Sequence, residues 1–430
     1  MRVGVTSLLA WAALAAAFAS YVLGDWLRAF RVACRVHSSA YSERAAHLVE
    51  AALRRALRRD DVDRFAKARA VLDRALAVDP SPRVRVFLDD PPRLFKSRAI
   101  VLKPSTDGEK GVLLLDYSFS FALFARLFDV EAVAKRYHLV LEPSWCGFCT
   151  PEILYYAQFE FPVFVLSGEP RDTRFLQGIG TNLVPVPIAG NWWVDHRVFR
   201  PLPDVRKDAD VIMVAAWARY KAHDEVFAAL GQLVRDGHRP RTLLVGYPGD
   251  LGRDEILRLA DAAGIGDLIE VHESLTPPEV NAQLNRARVN LLWSRKEGFN
   301  RAIIEGMFAG VPCILRGGHN FGHTYPYINP MTGVFATPDT LAPRLVEMIR
   351  TAHLFAPREW VEPMMSCQRA TELLSAAIRQ WAIGHGERWT TGLVAKTVSL
   401  HNMEYWDRAD EAQFADDYAF LERQLRPRSS

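Results

Sequence analysis

The stretch SRKEGFNRAIIEGMFAGVP, residues 294–312, decides how the surrounding chain folds. An apolar run at residues 289–293 precedes it and predicts a buried strand. A polar turn containing Gly298 leads into a short amphipathic helix, and Gly310 is the type of residue that ends such a helix. Because a second apolar run follows at residues 311–315, the pattern predicts a strand, turn, helix and strand of an α/β domain.

Two carboxylates flank the predicted start of this helix, Glu297 in the turn and Glu305 about two turns into the helix. The helix dipole favours an anion at the helix start, where the backbone amides of three residues should point outward: Gly298, Phe299 and Asn300. Carboxylate oxygens accept hydrogen bonds, so the pair suits hydroxyl donors such as those of a sugar. The same residues are also compatible with an ordinary helix that carries two surface carboxylates.

Length and composition indicate a globular protein of two or three domains, since the chain has 430 residues of which 49% are hydrophobic. The formal net charge of +3 gives no reason to expect nucleic acid as a partner. The 5 cysteines are scattered along the chain, which is not a disulfide framework and favours a reducing compartment.

The N-terminal residues 3–23 contain no charged side chain and are long enough to span a bilayer as a helix. A cleaved signal peptide is the alternative, with a small-residue cleavage site at residues 17–19. Since Arg28, Arg31 and Arg35 follow the span, the positive-inside rule predicts an inner or plasma membrane protein with its catalytic domains on the cytoplasmic side.

Strands and helices alternate along most of the chain, which predicts parallel sheets in two Rossmann-like domains of unequal size. We expect a membrane anchor at residues 1–24, a helical region with a linker at 25–95, a first Rossmann-like domain at 96–195, a second at 196–352, and C-terminal helices at 353–430.

Three local predictions accompany this domain organisation. The Pro-rich residues 79–97 indicate an irregular approach to the first domain. Residues 121–137 are expected to form one helix, and residues 358–430 are expected to form further helices.

Several polar residues follow predicted strands, and sites in open α/β sheets gather at the carboxyl ends of strands. Arg219 and Lys221 follow the first strand of the second domain, where two cations suit a diphosphate. Gly246 ends the next strand, and Glu142 ends a strand of the first domain. A surface arginine, a plain turn and a structural carboxylate are the respective alternatives for Arg219, Gly246 and Glu142.

Glu297 and Glu305, with seven residues between them and Gly-Phe after the first, resemble the donor-site signature of retaining glycosyltransferases of family 4, also described as glycosyl transferases group 1. The segment VDHRVFRP at residues 194–201 is similar to the connection between the two domains of that family. The resemblance implies the α/β GT-B architecture, with an N-terminal acceptor domain and a C-terminal donor domain facing a cleft.

The resemblance also implies roles for individual residues. Lys221, Arg219 and the amides of residues 298–300 would stabilise the leaving nucleoside diphosphate, Glu297 would hold sugar hydroxyls and Glu305 the ribose. Gly246 would lie beside the nucleotide, and Glu142 is a candidate on the acceptor side.

The implied reaction moves a sugar from a nucleotide-sugar to an acceptor with retention of the anomeric configuration. The donor would be a UDP-, GDP- or ADP-sugar, and the acceptor a glycan, a lipid or another precursor of surface polysaccharide. Neither a metal nor a cofactor is expected, and no metal-ligand spacing involves His319 or His323.

Two other functions are compatible with the sequence. Cys146 and Cys149 lie in the segment WCGFC before a predicted helix, as in thiol–disulfide oxidoreductases, so a membrane-tethered enzyme of that class is one alternative. A GT-B-shaped assembly protein without transferase activity is the other.

The turn after the first predicted strand, at residues 116–121, also lacks the glycines that many relatives carry near the acceptor.

Overall fold

The computed structural model describes residues 2–40, 43–57, 62–75, 82–95, 97–144, 149–317, 326–398 and 402–426. The α-helices are α1 (Arg2–Val22), α2 (Trp26–Ala40), α3 (Glu43–Ala56), α4 (Val62–Ala75), α5 (Pro82–Asp89), α6 (Ser118–Leu127), α7 (Val130–Ala134), α8 (Pro151–Leu154), α9 (Pro170–Ile179), α10 (His223–Arg235), α11 (Arg253–Ala262), α12 (Pro277–Arg286), α13 (Arg301–Phe308), α14 (Leu341–Thr351), α15 (Pro357–Met365), α16 (Cys367–Gly384) and α17 (Ala415–Glu422).

The strands are β1 (Ala99–Lys103), β2 (Gly111–Asp116), β3 (Tyr137–Glu142), β4 (Val163–Leu166), β5 (Leu183–Val186), β6 (Ala209–Val214), β7 (Thr242–Gly246), β8 (Ile269–Glu273), β9 (Ala287–Leu292), β10 (Cys313–Arg316), β11 (Gly333–Ala336), β12 (Lys396–Val398) and β13 (Met403–Tyr405). Contacts between Cα atoms divide the chain into two compact units. The first unit comprises Met1–Gly190, Thr371–Lys396 and His401–Ser430, and the second comprises Asn191–Ala370 and Thr397–Leu400.

The first unit contains a five-stranded sheet in the order β1-β2-β3-β4-β5. The strands β2 to β5 are parallel, as the alternation of strands and helices predicts. The edge strand β1 is antiparallel to β2, so the expectation of a purely parallel sheet is wrong at this edge. Only a short turn joins the two strands, and a short turn can connect antiparallel but not parallel neighbours.

Three local predictions in the first unit need correction. The expected helix at residues 121–137 is broken, because the side chain of Asp129 accepts a hydrogen bond from the amide of Ala132 and caps a second helix, α7. The Pro-rich linker contains the helix α5, whose Pro82 occupies the first helical position, where proline is tolerated. The C-terminal segment contains β12 and β13 in addition to helices.

The N-terminal helix α1 packs against α2, and Ala17 of α1 is fully buried. The guanidinium of Arg44 lies over the ring of Trp11, 4.7 Å from its centroid. Within the part of the chain that the structure describes, no helix combines the length and the apolar character needed to cross a bilayer, so the predicted membrane span over residues 3–23 is not supported.

The second unit contains a six-stranded parallel sheet in the order β11-β10-β9-β6-β7-β8. From β6 the chain adds β7 and β8 on one side, and it then returns to add β9, β10 and β11 on the other. The carboxyl ends of β6 and β9 are therefore neighbours at the point where the strand order reverses, which is where ligands bind in open α/β sheets.

Helices cover both faces of this second sheet. One apolar core includes residues of α10, α11 and α14, and the other includes residues of α12, α13 and α15. Strands covered on both faces are expected to be apolar throughout, and the buried run Asn290–Leu292 at the end of β9 follows that rule except at Asn290. The side-chain nitrogen of Asn290 donates a hydrogen bond to the carbonyl of Ala302 at 3.0 Å, so this buried donor is paired.

Candidate functional site

The central feature of the site is a buried ion pair between Lys221 and Glu297. The ammonium of Lys221 donates to Oε2 of Glu297 at 2.6 Å, and the two side chains are only 8% and 9% exposed. The hydroxyl of Ser294 donates to the same oxygen at 2.7 Å. Since Lys221 follows β6 and Glu297 follows β9, the structure brings two predicted site residues together where the strand order reverses.

Lys221 reaches this position through an unusual turn. Residues Arg219–Lys221 form a single turn of 3-10 helix, and the next residue, Ala222, has a φ of +55° before α10 begins. A left-handed conformation is unfavourable for an L-residue with a Cβ atom, by about 1 kcal/mol. Such strain persists only where the surroundings hold it, and here it accompanies the turn that carries Lys221.

The loop after β9 ends in a helix cap. The side chain of Asn300 accepts from the amide of Ile303 at 3.0 Å, so Asn300 is the N-cap of α13. The amide of Asn191 donates to the carbonyl of Asn300 at 3.2 Å. The predicted donor-binding residues Gly298, Phe299 and Asn300 therefore lie just before the helix begins at Arg301, and Gly310, with φ of +78°, ends the segment as predicted.

Glu305 lies one turn into α13, closer to the start of the helix than the sequence suggested. Its side chain is largely buried, and its carboxylate lies 3.5 Å from the guanidinium of Arg301. Burial raises the pKa of Glu305, and Arg301 opposes that rise. A carboxyl group in this position is well suited to exchange hydrogen bonds with ligand hydroxyls, because water solvates it poorly.

Arg219, the second cation predicted to bind a diphosphate, forms an ion pair with Asp250. Its guanidinium is 71% exposed and lies 3.8 Å from the carboxylate of Asp250. The backbone amide of Arg219 donates to Asp250 as well, at 3.0 Å. The structure thus places Arg219 on the surface beside Asp250, and its role at the diphosphate stays a prediction.

Gly246 ends β7, and the structure provides a packing reason for a glycine there. A Cβ atom at this position would lie 2.2 Å from the carbonyl oxygen of Ala215 and 2.6 Å from the indole nitrogen of Trp217. Trp217 is fully buried in the core of the second unit. The glycine is therefore required by the close approach of the backbone, whether or not a nucleotide lies beside it.

Glu142 belongs to the first unit and forms a buried ion pair of its own. Its carboxylate lies 2.8 Å from the ammonium of Lys396, and both side chains are almost completely buried. A Cβ atom on Gly190 would lie 3.0 Å from the Glu142 carboxylate, so a glycine leaves room for this pair. These contacts agree with the structural alternative for Glu142, while its role on the acceptor side stays a prediction.

The segment predicted to connect the domains packs within the second unit. Val194 and Phe199 are buried in the core that includes α13. The guanidinium of Arg358 donates to the carbonyl of Phe199 at 3.3 Å and to that of Phe308, the last residue of α13, at 2.7 Å. The connector therefore supports the helix that carries Glu305.

The cysteine motif finds no support as a reactive centre. The thiol of Cys149 is fully buried, and burial together with the neighbouring Cys34 thiol raises its pKa well above the usual range. A reactive thiol requires the opposite shift. Cys146 lies outside the described residues, as do His319 and His323, and within the described residues no group of three or more His, Cys, Asp or Glu side chains could hold a metal ion.

Sequence reasoning missed Ser294 and a set of charged residues around it. Ser294 could have been found as a hydroxyl three positions before a predicted site carboxylate. Glu225 and Arg295 carried no comparable signal, because their importance depends on contacts between segments about 70 residues apart.

Comparisons with known proteins match part of the chain. Residues 197–339 match the family described as Glycosyl transferases group 1, a range that contains Lys221, Glu297 and Glu305. No curated protein matches the chain at a significant level. The solved structure of sucrose-phosphate synthase from Thermosynechococcus elongatus is similar, with a TM-score of 0.50 and 16% identity, over 63% of this chain and 73% of that one. This likeness shows a shared fold.

Other solved structures are similar at lower scores. HepE of Anabaena, in complex with UDP and glucose, has a TM-score of 0.47 and 14% identity, over 64% of this chain and 77% of that one. The C-terminal domain of a glycosyl transferase group 1 family protein from Francisella tularensis has a TM-score of 0.36 and 17% identity, over 40% of this chain and 98% of that one. The family match, which lies within the second unit, supports a glycosyltransferase enzyme, and the likeness to sucrose-phosphate synthase supports an α/β GT-B-like fold.

Proposed function

We propose that this glycosyltransferase moves a sugar from a nucleotide-sugar to an acceptor with retention of the anomeric configuration, as enzymes of family 4 do. The single observation that carries the proposal is the buried contact of 2.6 Å between Lys221 and Glu297 beside the start of α13. A cation, a carboxylate and a helix start at adjoining strand ends provide what a sugar diphosphate needs: positive potential for the phosphates and acceptors for the sugar hydroxyls.

In the proposed reaction, the bond between the anomeric carbon and the diphosphate oxygen breaks, and a bond to the acceptor hydroxyl oxygen forms on the same face. The proton of that hydroxyl passes to the leaving diphosphate. Negative charge develops on the leaving diphosphate oxygen. Lys221 and the amides of residues 298–300 would stabilise that charge, which is an interaction stronger in the transition state than in the ground state. Glu297 would hold sugar hydroxyls and Glu305 the ribose, and no protein nucleophile is required.

The donor base is proposed to be uridine, guanosine or adenosine, and the acceptor a glycan, a lipid or another precursor of surface polysaccharide. The first unit would bind the acceptor. The cytoplasmic side stays our prediction for the catalytic units, because nucleotide-activated sugars are made there in bacteria.

Calorimetric titration with UDP, GDP and ADP tests the proposal first, followed by turnover assays with nucleotide-sugars of the base that binds. NMR of the anomeric proton in the product reports retention or inversion. We expect Lys221→Met and Glu297→Gln to lose turnover while Cys146→Ser keeps it. Full activity of both site variants, together with loss of activity in Cys146→Ser, would contradict the transferase site and favour thiol chemistry.

A further inference from the structure

Arg295 binds the segment after β6 through both its backbone and its side chain. Its backbone amide donates to the carbonyl of Tyr220 at 2.7 Å. Its guanidinium donates to the carbonyl of Arg219 at 3.1 Å, to Glu225 at 3.0 Å and to both carboxylate oxygens of Asp224 at 2.8 and 3.1 Å. Arg295, in the loop after β9, thus contacts two residues before Lys221 in the sequence and two residues after it.

Glu225, in the first turn of α10, joins the ends of two further strands. One carboxylate oxygen accepts from Arg295, and the other accepts from the indole of Trp293 at 3.0 Å. The guanidinium of Arg316, the last residue of β10, lies 2.8 Å from that second oxygen. Because β10, β9 and β6 are neighbours in the sheet, Glu225 connects three adjacent strand ends.

Stability alone is a poor explanation for the ion pair between Arg295 and Asp224. The Arg295 side chain is 42% exposed and that of Asp224 is 53% exposed, and exposed ion pairs contribute little, at most about 1 kcal/mol. An arginine that binds several carboxylate oxygens does fix the relative position of the segments it joins. Its N–H donors lie in one rigid plane, so they can bind those oxygens only in a narrow range of orientations.

The geometry that these bonds fix is that of the site. Lys221 lies two residues after Arg219, whose carbonyl Arg295 holds, and Glu297 lies two residues after Arg295 itself. The distance between the Lys221 ammonium and the Glu297 carboxylate therefore depends on the same bonds that tie the two backbones together. The side chains of Arg295 and Glu225 bind residues next to Lys221 and at the neighbouring strand ends, so they act on the Lys221–Glu297 pair through the backbone that carries it.

We propose that Arg295 and Glu225 are positioning residues, which hold the loop after β9 against the start of α10 so that Lys221 and Glu297 keep the geometry needed by the sugar donor. This inference rests on the proposed function. It goes beyond that function because it says that two residues, which need not touch the donor, keep the donor-binding residues in place.

Hydrogen exchange measured on the full-length protein tests the positioning directly, without a substrate. We expect Arg295→Met and Glu225→Gln to raise the exchange of amides in residues 293–300 by roughly tenfold, since each removes charge-assisted bonds that close the loop. The matched control is Arg344→Met, which removes an arginine of similar exposure from an ion pair with Glu347 in the same unit. The control should leave exchange in this loop unchanged.

Kinetics with a donor that the wild type turns over provide the second measurement. Arg295→Met and Glu225→Gln should each lower kcat by about 10- to 100-fold, with little change in KM, because a misplaced site loses contacts made in the transition state. The double variant should lose less than the product of the two single effects, since Arg295 and Glu225 bond to each other and hold the same two segments together. Arg295→Lys should fail to restore kcat, because an ammonium cannot bind the same set of acceptors.

The inference is overturned if Arg295→Met and Glu225→Gln both match Arg344→Met in loop exchange, or if their effects on kcat simply multiply in the double variant. Failure of the proposed function would be seen separately. In that case the wild-type protein turns over no nucleotide-sugar, while the exchange measurement still decides whether Arg295 and Glu225 position the loop.

Discussion

Removing one partner of the Lys221–Glu297 pair should cost more stability than removing both. The pair is separated by 2.6 Å, and its side chains are 8% and 9% exposed, so Lys221→Met leaves a buried carboxylate that has lost its cation. Breaking a buried ion pair on one side typically costs about 3–5 kcal/mol, whereas replacing both charges is close to neutral. The double variant Lys221→Met/Glu297→Gln should therefore be more stable than Lys221→Met alone.

Urea unfolding followed by fluorescence measures this difference. With a slope of about 2 kcal/mol per M, Lys221→Met should lower the midpoint by about 1.5–2.5 M, and the double variant should recover most of that loss. Arg239→Met, which breaks an exposed ion pair with Asp267 in the same unit, serves as the control and should shift the midpoint by less than about 0.5 M. Equal losses in the single and double variants would refute a buried pair of this kind.

The same variants separate stability from catalysis. Lys221→Met and the double variant should both lose about 100- to 1,000-fold in kcat, because removing one electrostatic contact to developing charge costs that much in comparable sites. Recovery of stability without recovery of kcat is the expected pattern. A double variant with wild-type turnover would show that Lys221 does not act on the donor.

Three further predictions concern other parts of the site and the first unit. Burial raises the pKa of Glu305, so the folded state binds the Glu305 proton more tightly than the unfolded state does. Keeping Glu305 ionised at pH 7–8 therefore costs stability, and Glu305→Gln should stabilise the protein there. Thermal melting should show that this gain fades as the pH falls toward the ordinary glutamate pKa of about 4.3. Gly246→Ala should lower the free energy of unfolding measured in urea by about 1–3 kcal/mol, because the new methyl group would lie 2.2 Å from a backbone oxygen. Gly252→Ala is the control and should have little effect, because no atom lies within 4 Å of the added methyl group. Glu142→Gln should lower the free energy of unfolding by about 3–5 kcal/mol, because it leaves the buried Lys396 without the carboxylate that lies 2.8 Å from it. Adding Lys396→Met should recover most of this loss. An unchanged melting temperature in the Glu142→Gln variant would argue against the ion pair.

Local signals were sufficient to predict the element that carries the site. The apolar run of β9, the turn, α13 and its glycine end at Gly310 all follow from propensities and periodicity within about 25 residues. Helix boundaries were less predictable where a single capping side chain decides them. Asp129 divides the helix expected at residues 121–137, because its carboxylate offers the backbone a competing hydrogen bond.

Contacts between distant segments could not be derived in the same way. Glu142 appeared as a possible site residue because it ends a strand, yet its partner Lys396 lies far along the chain in the C-terminal segment. Arg219 has the right charge and lies in the right loop, but its guanidinium turns toward Asp250. Side-chain direction depends on the packed surroundings, and those are assembled only when the sheet forms.

Patterns along the chain were enough to predict the α/β class, the unit of strand, turn and helix around residues 294–312, and the resemblance from which Lys221, Glu297 and Glu305 were chosen. The folded chain alone shows that Lys221 and Glu297, 76 residues apart, form one buried pair, and that Arg295 and Glu225 tie their two segments together. The physical reason is that periodicity records which face of an element is buried, while the order of strands decides which ends become neighbours. Here β9 returns to lie beside β6, and that return brings Lys221 and Glu297 together.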